Sequence, residues 1–196
     1  MDLINLSRRG ALQSSLALPL VAADLSLTSN ASAQQGSSRT LVAYLSRSGN
    51  TRLIARQIRR AQSADLFEIE TVEPYPEDYE ETVALAQRQK EAEFEPPLKA
   101  SVPEIARYDT IFLGFPIWGM TAPAPIRSFL SAHDLSGKAL IPFITHGGYG
   151  LGDSRDVVAR HAPRTRLADG FSLERPQERQ TLASVTQWLG ALNAPR

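Results

Sequence analysis

The stretch Ser46-Arg47-Ser48-Gly49-Asn50-Thr51-Arg52 gathers three hydroxyls, a carboxamide and a glycine in one short segment. An apolar run, Leu41 to Leu45, precedes it, and a helical pattern of Leu53, Ile54, Ile58 and Ala61 follows. That order reads as strand, polar loop and helix. Ser46, Ser48 and Thr51 can donate O–H, Asn50 can donate N–H, and Gly49 permits a positive φ or a close backbone approach. A helix N-terminus carries partial positive charge on its unpaired N–H groups, so the loop suits a phosphate. The same residues equally suit a plain strand-to-helix turn with a Ser or Asn N-cap. The glycine spacing matches neither the Walker pattern nor the dinucleotide fingerprint, which disfavours a nucleoside triphosphate and NAD.

Two further loops have unusual chemistry. Phe115-Pro116-Ile117-Trp118-Gly119-Met120-Thr121-Ala122-Pro123 is uncharged, with a Trp and a Gly at its tip. Thr145-His146-Gly147-Gly148-Tyr149-Gly150-Leu151-Gly152 surrounds one aromatic with four glycines. Glycine-rich backbone can approach a flat ligand closely and offer N–H and C=O groups to its edge. Trp118 and Tyr149 could stack on such a ring or flank it; equally, each suits loop packing or a solvent-facing turn. His146 could bond the ligand or be a satisfied structural histidine. One phosphate loop and two aromatic loops describe a site for a phosphorylated, flat, heteroaromatic molecule, and flavin mononucleotide (FMN) is the expected occupant.

The elements that must position these loops alternate. Asp65 to Val72 alternates apolar and charged residues, as a strand half open to solvent would. Asp78 can cap a charged helix from Tyr79 to about Glu93. Pro96, Pro97 and Pro103 mark a long surface connection. Asp109 to Phe115 and Ala139 to Thr145 are nearly all apolar, the signature of strands buried on both faces, although Pro142 costs the second one ladder bond. Pro123 to Ala132 reads as a helix with Ile126, Phe129 and Leu130 inward. Asp153 to His161 reads as a short helix, Arg164 to Phe171 as a last strand, and Gln177 to Leu192 as a closing helix. Five strands alternating with helices predict an α/β fold with a parallel sheet covered on both faces. Ligands of such sheets bind beyond the carboxyl ends of the strands, which is where all three loops lie.

The whole chain narrows the function. Its 196 residues, 42% of them hydrophobic, suit one domain plus a processed segment. Basic and acidic residues number 21 each, which gives no bias toward nucleic acid or an anionic membrane. The sequence has no cysteine, so disulfides, thiol chemistry and thiolate metal sites are excluded. His133, His146 and His161 lack metal-ligand spacing. The acidic run Glu68, Glu70, Glu73, Glu77, Asp78, Glu80 and Glu81 could dock a redox partner or simply be solvated, with its acids favouring the first turn of a helix.

The N-terminal segment, 1–33, reads as an address. Arg8 and Arg9 precede an apolar stretch, Ala11 to Ala23, that is too short to span a bilayer stably. Ala31-Ser32-Ala33 follows as a cleavage site. Paired arginines before a modest apolar region resemble a twin-arginine export signal, which carries folded proteins. The expectation is a cleaved signal, with a plain tail or an uncleaved anchor as the alternatives, a periplasmic destination, a polar lead-in over 34–39 and a domain over 40–196. Cleavage removes Asp2, Asp24, Arg8 and Arg9, so the mature domain stays formally neutral.

The stretches YLSRSGNTR, DLFEIETVEPYPEDYEE, YDTIFLGFPIWGMTAPAPIRSFL, DLSGKALIPFITHGGYGLGDS and the terminal TQWL resemble, in order, those of short-chain bacterial flavodoxins. The resemblance implies a three-layer αβα sandwich with a five-stranded parallel sheet of order 2-1-3-4-5 and FMN at its edge. By position, Ser46, Ser48, Gly49, Asn50 and Thr51 would bind the phosphate. Pro116, Ile117, Trp118, Gly119, Met120, Thr121 and Ala122, with Thr145, His146, Gly147, Gly148, Tyr149, Gly150 and Gly152, would hold the isoalloxazine. The implied function is electron transfer between an unidentified donor and acceptor, protein or quinone. An FMN-dependent NAD(P)H:quinone or other small-acceptor reductase is the alternative, and a binding module without redox turnover is a third reading.

Overall fold

The computed structural model describes residues 39–174 and 178–193. The expected export segment, 1–33, lies outside the described residues, as does all of the lead-in except Arg39. The chain gives strand β1 (Thr40–Tyr44), helix α1 (Asn50–Gln62), strand β2 (Asp65–Glu68) and helix α2 (Tyr79–Glu91). A 3-10 turn (Ile105–Arg107) leads into β3 (Thr110–Pro116) and α3 (Ala124–Ala132). Then come β4 (Ala139–His146), α4 (Ser154–His161), two short strands β5 (Arg166–Leu167) and β6 (Phe171–Glu174), and α5 (Glu178–Leu192). The strands pair in parallel in the order β2-β1-β3-β4-β5, with β6 also on β4, which is the expected sheet.

Side chains alternate across this sheet and so build two cores. Leu41, Ala43, Ile111, Leu113, Phe115, Leu140 and Ile144 point to one face, where Ile126, Phe129 and Leu130 of α3 and Val157 and Val158 of α4 cover them. Val42, Tyr44, Phe112 and Phe143 point to the other and meet Ile54, Ala55 and Ile58 of α1 and Val185 and Leu189 of α5. Gly114 makes room there for the Phe143 ring: a Cβ on it would lie 2.0 Å from that ring.

Three elements depart from the sequence reading. The strand expected over Asp65–Val72 ends at Glu68, and Thr71 pairs instead with Leu98 of the proline-rich connection in an antiparallel bridge. That connection is anchored as well as exposed, since Val102 is buried and its N–H donates to His133 Nε2 at 2.9 Å. The last strand is broken in two. Its halves pair with Ala139–Leu140 and with Phe143–His146, leaving a gap opposite Ile141 and Pro142. The Pro142 carbonyl faces Gly170, where a Cβ would come within 2.2 Å of its oxygen. In a strand, a residue's N–H and C=O point to the same side, so the donor that Pro142 lacks faces this edge. Among the described residues no helix is long and apolar enough to cross a membrane.

At the amino ends of the strands, Asp65 Oδ2 accepts from Tyr108 Oη and Arg107 Nη2, each at 2.7 Å, with Arg39 3.7 Å away. The Tyr108 hydrogen bond, then the Arg107 guanidinium, hold the Asp65 carboxyl below its ordinary value. A carboxylate so lowered stabilises the fold above its unfolded value, about 4, and the stabilisation is lost as pH falls through the folded value. Asp65→Asn is therefore expected to lower stability at neutral pH by a small margin. In denaturant titrations across pH the difference should vanish on acidification; a difference that persists in acid would refute this account.

Candidate functional site

The polar loop after β1 is shaped by α1. Gly49, at φ 90°, is the N-cap, a conformation open to glycine; neither Ser nor Asn takes that place. Ser46 Oγ accepts instead from Arg52 N–H at 3.2 Å and so serves one of the helix's first N–H groups. No acidic residue occupies the first turn of α1. Ser48 and Asn50 are exposed. Thr51 is buried, and its hydroxyl meets that of Thr145 at 3.0 Å, tying the start of α1 to the end of β4. Arg52 is paired with Glu68 Oε1 at 2.5 Å, and Tyr44 Oη donates to Glu68 Oε2 at 2.8 Å. Burial, followed by the Glu68 bond, raises the Tyr44 pKa, so this phenol stays protonated beneath the loop.

The loop after β3 is a tight hairpin. Trp118 and Thr121 exchange both backbone bonds at 3.2 Å, and Gly119 and Met120 at the tip have φ of 56° and 64°. Two positive φ values make this a type I′ turn, costly for Met120. Both tip carbonyls are held: Lys90 Nζ donates to Gly119 O at 2.8 Å, and Asp153 N–H donates to Met120 O at 3.1 Å. Trp118 packs edge-on against Tyr75, with centroids 4.8 Å apart. Tyr75 donates to Gln89, and burial pushes its pKa up to about 12. The glycine loop after β4 presses on the hairpin, because a Cβ on Gly152 would lie 1.8 Å from Met120 O.

These three loops and helix α2 enclose a cavity of about 600 Å³ at the carboxyl ends of the strands. Of the expected residues, Ser48, Asn50, Thr51, Pro116, Ile117, Trp118, Gly119, Thr145, His146 and Gly147 line it. Ser46 and Gly49 are not in its wall: Ser46 lines a neighbouring cavity and Gly49 caps α1. Met120, Gly148, Gly150 and Gly152 lie outside the cavity wall, Thr121 and Ala122 are buried, and Tyr149 is 85% exposed at its loop tip. His146 Nδ1 accepts from Gly148 N–H at 3.3 Å, a bond internal to the loop. Sequence reasoning missed the fourth wall, Tyr79, Thr82, Val83, Ala86 and Gln87 of α2. Their spacing of three and four residues was the available signal. Arg47 joins this wall to the loop after β1: its Nη2 donates to Glu77 O at 2.6 Å, and its guanidinium lies 5.7 Å from the centre of the Tyr79 ring.

The close fit of Gly152 yields a prediction. Gly152→Ala forces a side chain into Met120 O at a φ of 54°, and is expected to cost about 1–3 kcal/mol in chemical denaturation. Gly147→Ala, with nothing within 4 Å of the new Cβ, should cost much less. Equal losses would show that the two loops are not wedged together.

Comparison with known proteins agrees with this architecture. The family model described as flavodoxin matches residues 39–192. A candidate flavoprotein of Bacteroides eggerthii DSM 20697 superposes with a TM-score of 0.68 at 30% identity, covering 81% of this chain and 99% of that one. A candidate flavoprotein of Bacteroides uniformis ATCC 8492 gives 0.69 at 28%, covering 78% and 98%. A flavoprotein of Lactobacillus acidophilus NCFM, solved in complex with FMN, gives 0.64 at 21%, covering 78% and 99%, and so shares the fold. No curated protein sequence matches. The family model spans the whole sheet and every loop around the cavity, and the chain belongs to the flavodoxin family.

Proposed function

We propose that the domain binds FMN in the cavity at the strand ends and works as an electron-transfer protein. One observation carries this reading: a single cavity joins the N-terminus of α1, with Ser48 and Asn50 beside it, to the uncharged walls of Ile117, Trp118 and Gly119. The donor set fits a phosphate, since hydroxyl, carboxamide and helix N–H groups converge there without a competing acid. A volume near 600 Å³ is ordinary for a small-molecule site. The FMN held by the Lactobacillus acidophilus protein supports the choice of ligand.

In this reading Ser46, Ser48, Gly49, Asn50 and Thr51 form the phosphate end. Pro116 to Gly119 and Thr145 to Gly147 hold the ring and exclude water from it. FMN supplies the electron chemistry when bound; the protein supplies burial, orientation and charge. A second reading, an FMN-dependent NAD(P)H:quinone or other small-acceptor reductase, is favoured by the apolar α2 wall of Val83 and Ala86, which suits a neutral flat acceptor. Steady-state turnover with a nicotinamide donor and a quinone, on the order of 1 s⁻¹ or faster, would support the enzyme; its absence supports the carrier. The segment 1–33 would deliver the folded, loaded domain to the periplasm. Changing Arg8 and Arg9 together to Lys should then hold the protein in the cytoplasm, and the exported form should begin near Gln34. Normal export of that variant would refute the signal.

The phosphate end is tested by Ser48→Ala. Loss of one charge-assisted donor should weaken FMN by about 1.5–3 kcal/mol and riboflavin hardly at all. Equal losses would refute the phosphate role.

The surrounding charge predicts the potential. The ring loops hold no Asp or Glu, and Lys90 Nζ brings a positive charge to Gly119. Glu68 is paired with Arg52 and Glu70 with Lys99, while Asp78 caps α2. The fully reduced couple should therefore sit higher than in an acidic flavodoxin and depend weakly on salt, and Lys90→Gln should lower it. Potentiometry at two ionic strengths checks this; a steep rise with salt would show that the acidic run governs.

A further inference from the structure

We propose that Arg47 sets the charge class of the ligand: its guanidinium makes the large cavity select a flavin that ends in a phosphate over the same flavin without one. The inference rests on the flavin reading and adds a residue which that reading does not use. Among the residues lining the cavity, Arg47 alone is an arginine, lysine, aspartate or glutamate. His146 also lines it, and its Nδ1 accepts from Gly148 N–H, so that nitrogen carries no proton. The wall therefore holds one fixed charge, and it is positive.

The side chain is held in place without being neutralised. Its Nη2 donates to Glu77 O at 2.6 Å, and the guanidinium lies 5.7 Å from the centre of the Tyr79 ring, itself a lining residue. Neither partner is an anion. Among the described residues no carboxylate forms an ion pair with Arg47. A guanidinium has five donors, and this bond to Glu77 O takes one of them. The acids at the start of α2 are absent from the cavity wall: Glu77 lines the neighbouring cavity, and Asp78 accepts from Glu81 N–H at 2.9 Å. A fixed cation in a wall without acids gives the cavity a potential of one sign. Ser48 and Asn50, in the same wall, can give an oxyanion neutral donors. Arg47 adds the charge that they lack, on a planar fork that suits phosphate oxygens.

The test compares FMN with riboflavin, by quenching of flavin fluorescence, on the full-length protein freed of bound flavin. The ratio of the two affinities is the readout. Both ligands share the ring, so a merely structural role for Arg47 in holding α2 would weaken both alike. Arg47 is exposed, and its substitution leaves both apolar cores intact. Arg47→Gln should cut the preference for FMN roughly tenfold, the loss of one charge-assisted contact. Arg47→Lys, which keeps the charge, should retain most of the preference. Sodium chloride should weaken FMN binding less in Arg47→Gln than in the unaltered protein, because the cation that salt screens is gone. A preference for FMN that survives Arg47→Gln, or a loss shared equally by riboflavin, would overturn the role of Arg47 and leave the flavin reading standing. A loss in Arg47→Lys as large as in Arg47→Gln would overturn it as well, since charge would not be the cause. Equal affinity for both flavins in the unaltered protein would overturn the phosphate end and this inference together.

Discussion

The structure depends on burying both faces of β1, β3 and β4. Leu41 to Leu45 and Ile111 to Phe115 have no exposed side chain, because helices cover the sheet on either side. Polar chemistry is thereby driven to the strand ends, where the chain must turn. The bond between Thr51 and Thr145 works at that boundary. It is a buried hydroxyl pair that satisfies two polar groups at once and sets the start of α1 against the end of β4. The three loops inherit their positions from it and from the strands beneath.

Charge is settled locally around this edge. Arg52 follows the polar loop after β1 but is tied to Glu68 and, through it, to Tyr44. Arg47 is held by Glu77 O and the Tyr79 ring. The acidic run looks like a docking face when read as a string, yet several of its members already serve neighbours: Glu68 a guanidinium, Glu70 a lysine, and Asp78 the Glu81 N–H. A run of like charge along the chain becomes a set of short-range pairs once strand and helix separate its residues in space, and exposed pairs of this kind contribute little individually.

Much of this was legible in the sequence because it rests on period and punctuation. The apolar runs gave β1, β3 and β4, the polar loop marked the start of α1, and Asp78 marked that of α2. What escaped depends on distant partners. Pro142 announced a lost ladder bond, but only the fold shows that the loss falls on the β5–β6 edge, with Gly170 packed against the same residue. The hairpin at Gly119–Met120 carries no turn signature at Met120; its positive φ is imposed by bonds from Lys90 and Asp153, far away in the chain. The role of α2 was hidden because a charged helix usually faces water: the spacing of Thr82, Val83 and Ala86 marks one face, but only the fold shows that this face closes a cavity.

That helix has a thermodynamic consequence. Thr82 is the one buried residue of α2, and none of its side chains joins either apolar core. It is attached by Arg47 over the Tyr79 ring, by Arg127, by Lys90 and by the Tyr75–Gln89 bond, contacts worth about 0.5–3 kcal/mol each. A segment so attached opens at a free energy well below that of global unfolding. A ligand against Val83 and Ala86 would supply the apolar contact that the polypeptide withholds. The occupant then acts as a missing piece of the hydrophobic interior. Its binding energy would then register as protection of α2 from hydrogen exchange.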